Sequence, residues 1–183
     1  MKILLLGGSK SGKSMTAQRL ARALADGAPL YYWATMEPTD GEDLARIARH
    51  RAEREGWGFQ TVECARELPA RLPQLDARGT VLLDSVTACL AAQMFPPDAP
   101  WKPHAARTVT EELLTVAERL ANAVCVCDTV WSDGTRFDAP TECYRRALAE
   151  ICRALAERFD IVAEITAGLP VVWKGKSLYE TLA

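Results

Sequence analysis

Met1 to Ser14 reads MKILLLGGSKSGKS. Lys2 to Leu6 is a short apolar run, the length of a buried strand. It breaks into Gly7, Gly8, Ser9, Lys10, Ser11, Gly12, Lys13 and Ser14, which fits the phosphate-loop pattern G-x-x-x-x-G-K-[ST]. Glycines let the backbone turn tightly, so that successive N–H groups can face phosphate oxygens. Met15 to Ala25 then reads as a helix with Met15, Leu20, Ala21 and Leu24 on its apolar side, and its N-terminal dipole favours an anion at the same point. In this arrangement Lys13 reaches the β- and γ-phosphates and the Ser14 hydroxyl ligates Mg²⁺. The pattern alone recurs by chance. The strand before it and the helix after it separate it from a simple glycine-serine turn.

Outward from the loop, strand and helix patterns alternate. Leu30 to Ala34 (LYYWA) is a β-type run, followed by a polar loop from Thr35 to Gly41. Thr35 lies near the site if this strand neighbours the first. Glu42 to Glu55 (EDLARIARHRAERE) is helical and densely charged, with a thin apolar stripe of Leu44, Ile47 and Ala48. Its composition suits a solvated helix laced with pairs such as Glu42–Arg46. It also suits an anion-binding helix on which His50 is placed for chemistry. Gly56 to Glu63 reads as a strand and Leu68 to Leu75 as a helix. Thr80 to Asp84 (TVLLD) is an apolar strand ending in a carboxylate. Downstream of a phosphate loop this is the Walker-B arrangement, with Asp84 holding Mg²⁺ directly or through water.

Ser85 to Phe95 reads as a helix, and Pro96 to Pro103 (PPDAPWKP) as a surface excursion that cannot be a helix interior. Ala105 to Asn122 is a long amphipathic helix, and Ala123 to Cys127 a strand closing at Asp128. Val130 to Pro140 is a polar loop with an exposed-looking Trp131 and Phe137. Thr141 to Phe159 is a helix capped by Thr141, and Ile161 to Thr166 a strand, which Val171 to Trp173 extends into the sheet. The pattern implies an α/β fold: a phosphate-loop NTPase-like, mainly parallel sheet with helices on both faces. Ligands gather at the carboxyl ends of its strands.

The chain has 183 residues, which fits one domain over 1–183. The formal net charge of −2 gives no reason to expect nucleic acid or an anionic membrane as partner. No apolar run is long enough to span a bilayer, and the expected compartment is the cytoplasm. Among the six cysteines no C-x-x-C pair occurs, and Cys125 and Cys127 point to one face of a strand as small buried apolar residues.

These residues resemble the adenosylcobinamide kinase/adenosylcobinamide-phosphate guanylyltransferase family of cobalamin synthesis, over nearly the whole chain. The resemblance rests on GGSKSGKS, Tyr32-Trp33-Ala34-Thr35, and Arg46-Ile47-x-x-His50-Arg51-x-x-Arg54 followed by Trp57-x-x-x-Thr61-x-Glu63. It continues through Val81-Leu82-Leu83-Asp84-Ser85-Val86-Thr87 and closes with Asp160, Gly168-Leu169-Pro170 and Lys174. The histidine-helix motif is far more specific than the phosphate loop, and it favours the functional reading of that helix. The resemblance implies two reactions at one nucleotide site. The γ-phosphoryl of ATP or GTP goes to the aminopropanol hydroxyl of adenosylcobinamide. His50 then attacks the α-phosphate of GTP, and the GMP passes to the cobinamide phosphate. A partly neutral imidazole near pH 7 suits that attack.

The resemblance implies His50 and Lys13 as catalytic residues, with Mg²⁺ on Ser14 and Asp84. It carries nucleotide contacts onto the loop from Gly7 to Ser14, and onto Ala34, Thr35, Met36, Arg51, Ala52, Glu53, Arg54, Glu63 and Asp84. A corrinoid partner and a homotrimer are also implied. The chain departs from the family in its second half. Asp128-Thr129 replaces an Asn-Glu pair, and Arg145-Arg146, Ala149 and Cys152-Arg153 stand where the family's late helix carries Arg-Asp, Gly and Asn-Gln. Two other readings stay open: a phosphate-loop phosphoryl transferase acting on another alcohol, and a nucleotide-binding regulatory protein without transfer chemistry.

Overall fold

Seven strands form one sheet: β1 (Lys2–Gly7), β2 (Leu30–Ala34), β3 (Phe59–Glu63), β4 (Thr80–Asp84), β5 (Asn122–Asp128), β6 (Ile161–Thr166) and β7 (Leu169–Lys174). This computed structural model describes residues 1–38, 41–131 and 134–182, and only the backbone of residues 42, 46 and 53. The Glu42–Arg46 pair and the side chain of Glu53 lie outside the described residues. The helices are α1 (Lys13–Ala25), α2 (Gly41–Glu53), α3 (Val86–Met94), α4 (Ala105–Arg119), α5 (Ala139–Arg158) and α6 (Lys176–Glu180), with a 3-10 turn at Leu68–Gln74.

The strand order is β3-β2-β4-β5-β1-β6-β7. The first six strands in sequence pair in parallel, and β7 runs antiparallel to β6. Strands buried on both faces must be apolar at nearly every position, as LLL, LYYW, VLL and AVCVC are. Alternate residues then serve two cores. On one face Leu4, Trp33, Leu83 and Cys125 pack against α3, α4 and α5; on the other Ile3, Leu5, Tyr32 and Val126 pack against α1 and α6.

Several boundaries differ from the sequence reading. Met15 is exposed, while Leu20 and Ala21 are buried as expected and are joined by Ala17 and Ala25, whose small side chains let α1 approach the sheet closely. The strand after α2 starts only at Phe59, because Gly56 and Gly58 take left-handed backbone conformations. The 68–75 helix is a 3-10 turn, since Pro73 has no N–H to donate within it. Helix α4 stops at Arg119: Leu120 is extended and Asn122 already belongs to β5. There Lys2 Nζ donates to the carbonyl oxygens of Leu120 (2.5 Å) and Ala121 (3.1 Å), satisfying backbone groups at the helix end. Helix α5 is capped by Asp138, whose carboxylate accepts from Thr141 N–H at 2.9 Å, so Thr141 is the donor and not the cap. Trp131 is half-buried against the core, while Phe137 is exposed as expected.

Cys89, Cys125, Cys127 and Cys152 are buried, and all six thiols are free. Burial pushes the Cys89 and Cys125 thiols up to about 12 and raises that of Cys127, so these sulfurs stay protonated, apolar core atoms. No described helix is long and apolar enough to cross a membrane.

Candidate active site

The phosphate loop leaves the carboxyl end of β1, between β5 and β6. Gly7 is confined by its neighbours: a Cβ there would lie 2.6 Å from the Ile165 carbonyl oxygen and 2.8 Å from Ser11 Oγ. Gly12 caps α1 in the left-handed region at φ 93°, a conformation costly for any residue with a Cβ. The β6–β7 turn pins the loop from outside, with Gly168 N–H donating to the Ser11 carbonyl at 2.9 Å. Lys13 is buried, and its Nζ donates to the Gly8 carbonyl at 2.9 Å and pairs with Asp128 Oδ1 at 2.7 Å. Ser11 Oγ is buried with no hydrogen-bond partner among the described residues.

Asp84, at the end of β4, is held differently. Its Oδ2 accepts from Tyr32 Oη at 2.8 Å, and the Arg54 guanidinium lies 3.4 Å from the centroid of the Tyr32 ring. A cation over the ring face is a favourable electrostatic contact, and it anchors the end of α2 to β2. Thr35 is fully buried behind this row. Its hydroxyl donates to the Ser85 carbonyl at 2.7 Å and accepts from Ser85 N–H at 2.8 Å. Strand β2 is not beside β1, because β4 and β5 stand between them. Thr35 therefore does not flank the loop; it fixes the Asp84–Ser85 corner from which α3 starts.

A cavity of about 580 Å³ opens at the carboxyl ends of β2, β4 and β5. His50 and Arg51 of α2, with Arg54 just past its end, form one side, and Asp84, Ser85, Thr87 and Asp128 the other. Ala34, Met36 and Glu63 also line it, as do Tyr32 and Tyr144. Arg51 forms an ion pair with Glu63 across the β3 side. Of the residues singled out from sequence, the cavity gathers His50, Ala34, Met36, Arg51, Arg54, Glu63 and Asp84. The loop from Gly7 to Ser14 reaches it through the Lys13–Asp128 contact, and Ala52 faces a separate shallow depression beside Arg51 and Gly56.

Three contributors were missed in the sequence. Tyr32 looked like an ordinary strand residue, and Tyr144 like an ordinary helix residue; only the tertiary fold brings them to the cavity. Asp128 carried the same signal as Asp84, a carboxylate closing an apolar strand. Register pairs Gly7 with Asp128, which sets that carboxylate next to the loop. The second half of the chain also carries structural contacts. Arg145 is buried and donates to the carbonyl oxygens of Val130 (2.9 Å), Thr135 (2.9 Å) and Trp131 (3.1 Å), fastening the loop after β5. Cys152 Sγ lies 3.3 Å from Cys127 Sγ in the core.

The donors available to a metal are a carboxylate and a hydroxyl, hard oxygen ligands that suit Mg²⁺. Among the described residues no group of three or more His, Cys, Asp or Glu side chains could hold a metal by themselves.

Comparison with known proteins adds to this geometry. The family described as cobinamide kinase / cobinamide phosphate guanyltransferase matches residues 3–173. The bifunctional adenosylcobalamin biosynthesis protein CobP of Pseudomonas aeruginosa is 33% identical over 182 residues, covering 97% of this chain and 100% of that protein. The bifunctional adenosylcobalamin biosynthesis protein CobU of Escherichia coli is 36% identical over 97 residues, about half of each chain (52% and 51%). Among solved structures, the flagellar accessory protein FlaH of Methanocaldococcus jannaschii superposes with a TM-score of 0.51 at 11% identity, over 94% of this chain and 77% of that one. A second solved structure, an ATPase domain, gives a TM-score of 0.52 at 11% identity, over 89% of this chain and 68% of that one. At such identity these two speak for the fold alone: a mostly parallel sheet of the phosphate-loop ATPase type.

Proposed function

The chain belongs to the cobinamide kinase / cobinamide phosphate guanyltransferase family, and on that premise we propose that it is a bifunctional kinase and guanylyltransferase of cobalamin biosynthesis working at one nucleotide site. Residues 1–183 act as one catalytic domain. In the first reaction the aminopropanol hydroxyl of adenosylcobinamide attacks the γ-phosphorus of ATP or GTP, and the bond to the β-phosphate oxygen breaks. The loop amides and Lys13 hold the β- and γ-phosphates, and the unsatisfied Ser11 hydroxyl turns to an acceptor oxygen among them. Mg²⁺, held by Ser14 and Asp84, supplies charge neutralisation on those phosphates when bound.

In the second reaction a His50 ring nitrogen attacks the α-phosphorus of GTP and pyrophosphate leaves. The resulting phosphoramidate is then displaced by the phosphate oxygen of the cobinamide phosphate, giving adenosylcobinamide-GDP and free His50. Splitting one displacement into two is the gain from a covalent nucleophile. Arg51 and Arg54 bring positive charge to the phosphates. Ala34, Met36 and Glu63 line the nucleoside end, with Thr35 behind them. The homotrimer belongs to the same reading. Leu169, Val171 and Trp173 alternate on one face of the edge strand β7 and are exposed, an apolar surface suited to contact between copies.

The observation that carries the proposal is that His50 and Asp128 line one cavity, while Asp128 touches the phosphate-loop lysine. The test uses GTP labelled at the α-phosphate, followed by denaturation in alkali. Wild type should retain an alkali-stable, acid-labile label that His50→Asn lacks, and His50→Asn should keep most of its kinase activity. Full guanylyl transfer by His50→Asn removes the role given to that residue. Lys13-dependent phosphorylation of another alcohol, with none of cobinamide, replaces the substrate.

A further inference from the structure

The cavity is the size of one ordinary ligand, since pockets of about 300–1,000 Å³ hold one drug-sized molecule. A nucleotide held by the adjoining phosphate loop takes part of this space, which leaves the hydroxyl arm of a corrinoid as the part suited to enter and the rim as the place for its ring. One rim feature has the right character. Phe95 and Trp101 are each 40% exposed, yet their rings stack, with centroids 6.4 Å apart and planes 18° from parallel. The pair is continuous with the cavity in two ways. Phe95 is one helical turn beyond Ala91, which lines it, and donates its N–H to the Ala91 carbonyl. The Phe95 ring also lies 6.1 Å from that of Tyr144, which lines the cavity and donates its hydroxyl to the Thr87 carbonyl at 2.9 Å.

The aromatic pair is pre-arranged. Trp101 sits in the proline-rich segment 96–103, where Pro96, Pro97, Pro100 and Pro103 restrict the backbone. Lys102 N–H donates to the Met94 carbonyl at 2.7 Å, and Cys143 Sγ donates to the Pro103 carbonyl at 3.5 Å. A shelf already ordered loses little entropy when a ligand lands on it. Asp98 and Lys102, exposed in the same segment, offer hydrogen-bonding groups to amides at a ring's edge.

We propose that the Phe95–Trp101 pair is the docking shelf for the methyl- and amide-fringed macrocycle of the alcohol substrate, whose arm then reaches past Tyr144 into the cavity. The inference rests on the corrinoid reading above and extends it to a subsite. Trp101→Ala and Phe95→Ala should each raise KM for cobinamide by about tenfold, the loss of one well-placed aromatic contact with its buried area. The GTP dissociation constant and the α-phosphate labelling of His50 should stay at wild-type values, and Trp101→Phe should restore most of the affinity. An unchanged KM for cobinamide in both alanine variants overturns the shelf while leaving the bifunctional assignment standing. A smaller assembly in gel filtration, with KM recovering at high protein concentration, also overturns it and makes the pair a contact between copies. Wild type that neither binds nor phosphorylates cobinamide overturns both.

Discussion

Lys13 Nζ stands between the Gly8 carbonyl and the Asp128 carboxylate, at 2.9 and 2.7 Å. Triphosphate oxygens arriving in the loop compete with Asp128 for that ammonium. Two opposite expectations follow for the two partners. Lys13→Ala should abolish both reactions, since each needs the β- and γ-phosphates held. Asp128→Asn should instead tighten GTP binding, roughly threefold or more, because a partly exposed carboxylate that holds the lysine and repels phosphate is gone. Equilibrium titration with GTP checks this, and weaker binding by Asp128→Asn makes the carboxylate a helper of the nucleotide site and not its competitor. At this scale the sequence was informative where a motif fixes spacing, as for Lys13 and His50. It was silent on which carboxylate Lys13 meets, because that partner is delivered by the pairing of β1 with β5, far along the chain.

Helices α2 and α5 are fastened by opposite means, and neither set of contacts was visible in the sequence. The thin stripe of Leu44, Ile47 and Ala48 already suggested a helix with little to bury. In the fold Leu44 is 58% exposed, and Leu44 and Ile47 face the cavity. The attachments of α2 gather near its carboxyl end, where Arg51 pairs with Glu63 and Arg54 stacks on Tyr32. Helix α5, read only as a long helix capped by Thr141, carries the buried Arg145 that fastens three carbonyls of the preceding loop and pairs with Glu142 at 2.8 Å. Arginine in a helix reads as surface, so nothing local announced this role. Arg145→Ala removes a buried guanidinium and leaves those partly buried carbonyls unmatched, and should cost about 3 kcal/mol, measured by urea unfolding. At the start of α5, the Thr141 hydrogen bonds hold the Asp138 carboxyl below its ordinary value. A group with a depressed folded pKa adds stability above its unfolded pKa and loses it as pH falls through the folded one. Asp138→Ala should therefore lower the thermal midpoint at neutral pH, with a difference from wild type that shrinks in acid.

The alternation of apolar runs and amphipathic helices made a two-faced parallel sheet legible from the sequence, because local periodicity carries that information. The strand order was not legible. Whether β4 and β5 insert between β1 and β2 depends on which face each crossover helix covers, and that is settled by packing across the whole sheet. The order has a consequence for stability. Strand β1 is an interior strand, flanked by β5 and β6, and the loop leaving it is pinned to the β6–β7 turn through Ser11 and Gly168. A nucleotide gripped by that loop is therefore coupled to both halves of the sheet, and its binding energy should stabilise the chain as one unit. With GTP at a hundred times its dissociation constant the gain is about 2.7 kcal/mol. For a domain of this size that is a rise of about 5–10 °C in the thermal midpoint. The melt should remain a single transition with and without GTP. Lys13→Ala should lose the rise, while His50→Asn should keep it, because the imidazole acts on the α-phosphorus after the triphosphate is already held. Two transitions, with only one moved by GTP, would show that the sheet does not unfold as one domain. An equal loss of the shift in His50→Asn would place His50 in nucleotide binding itself.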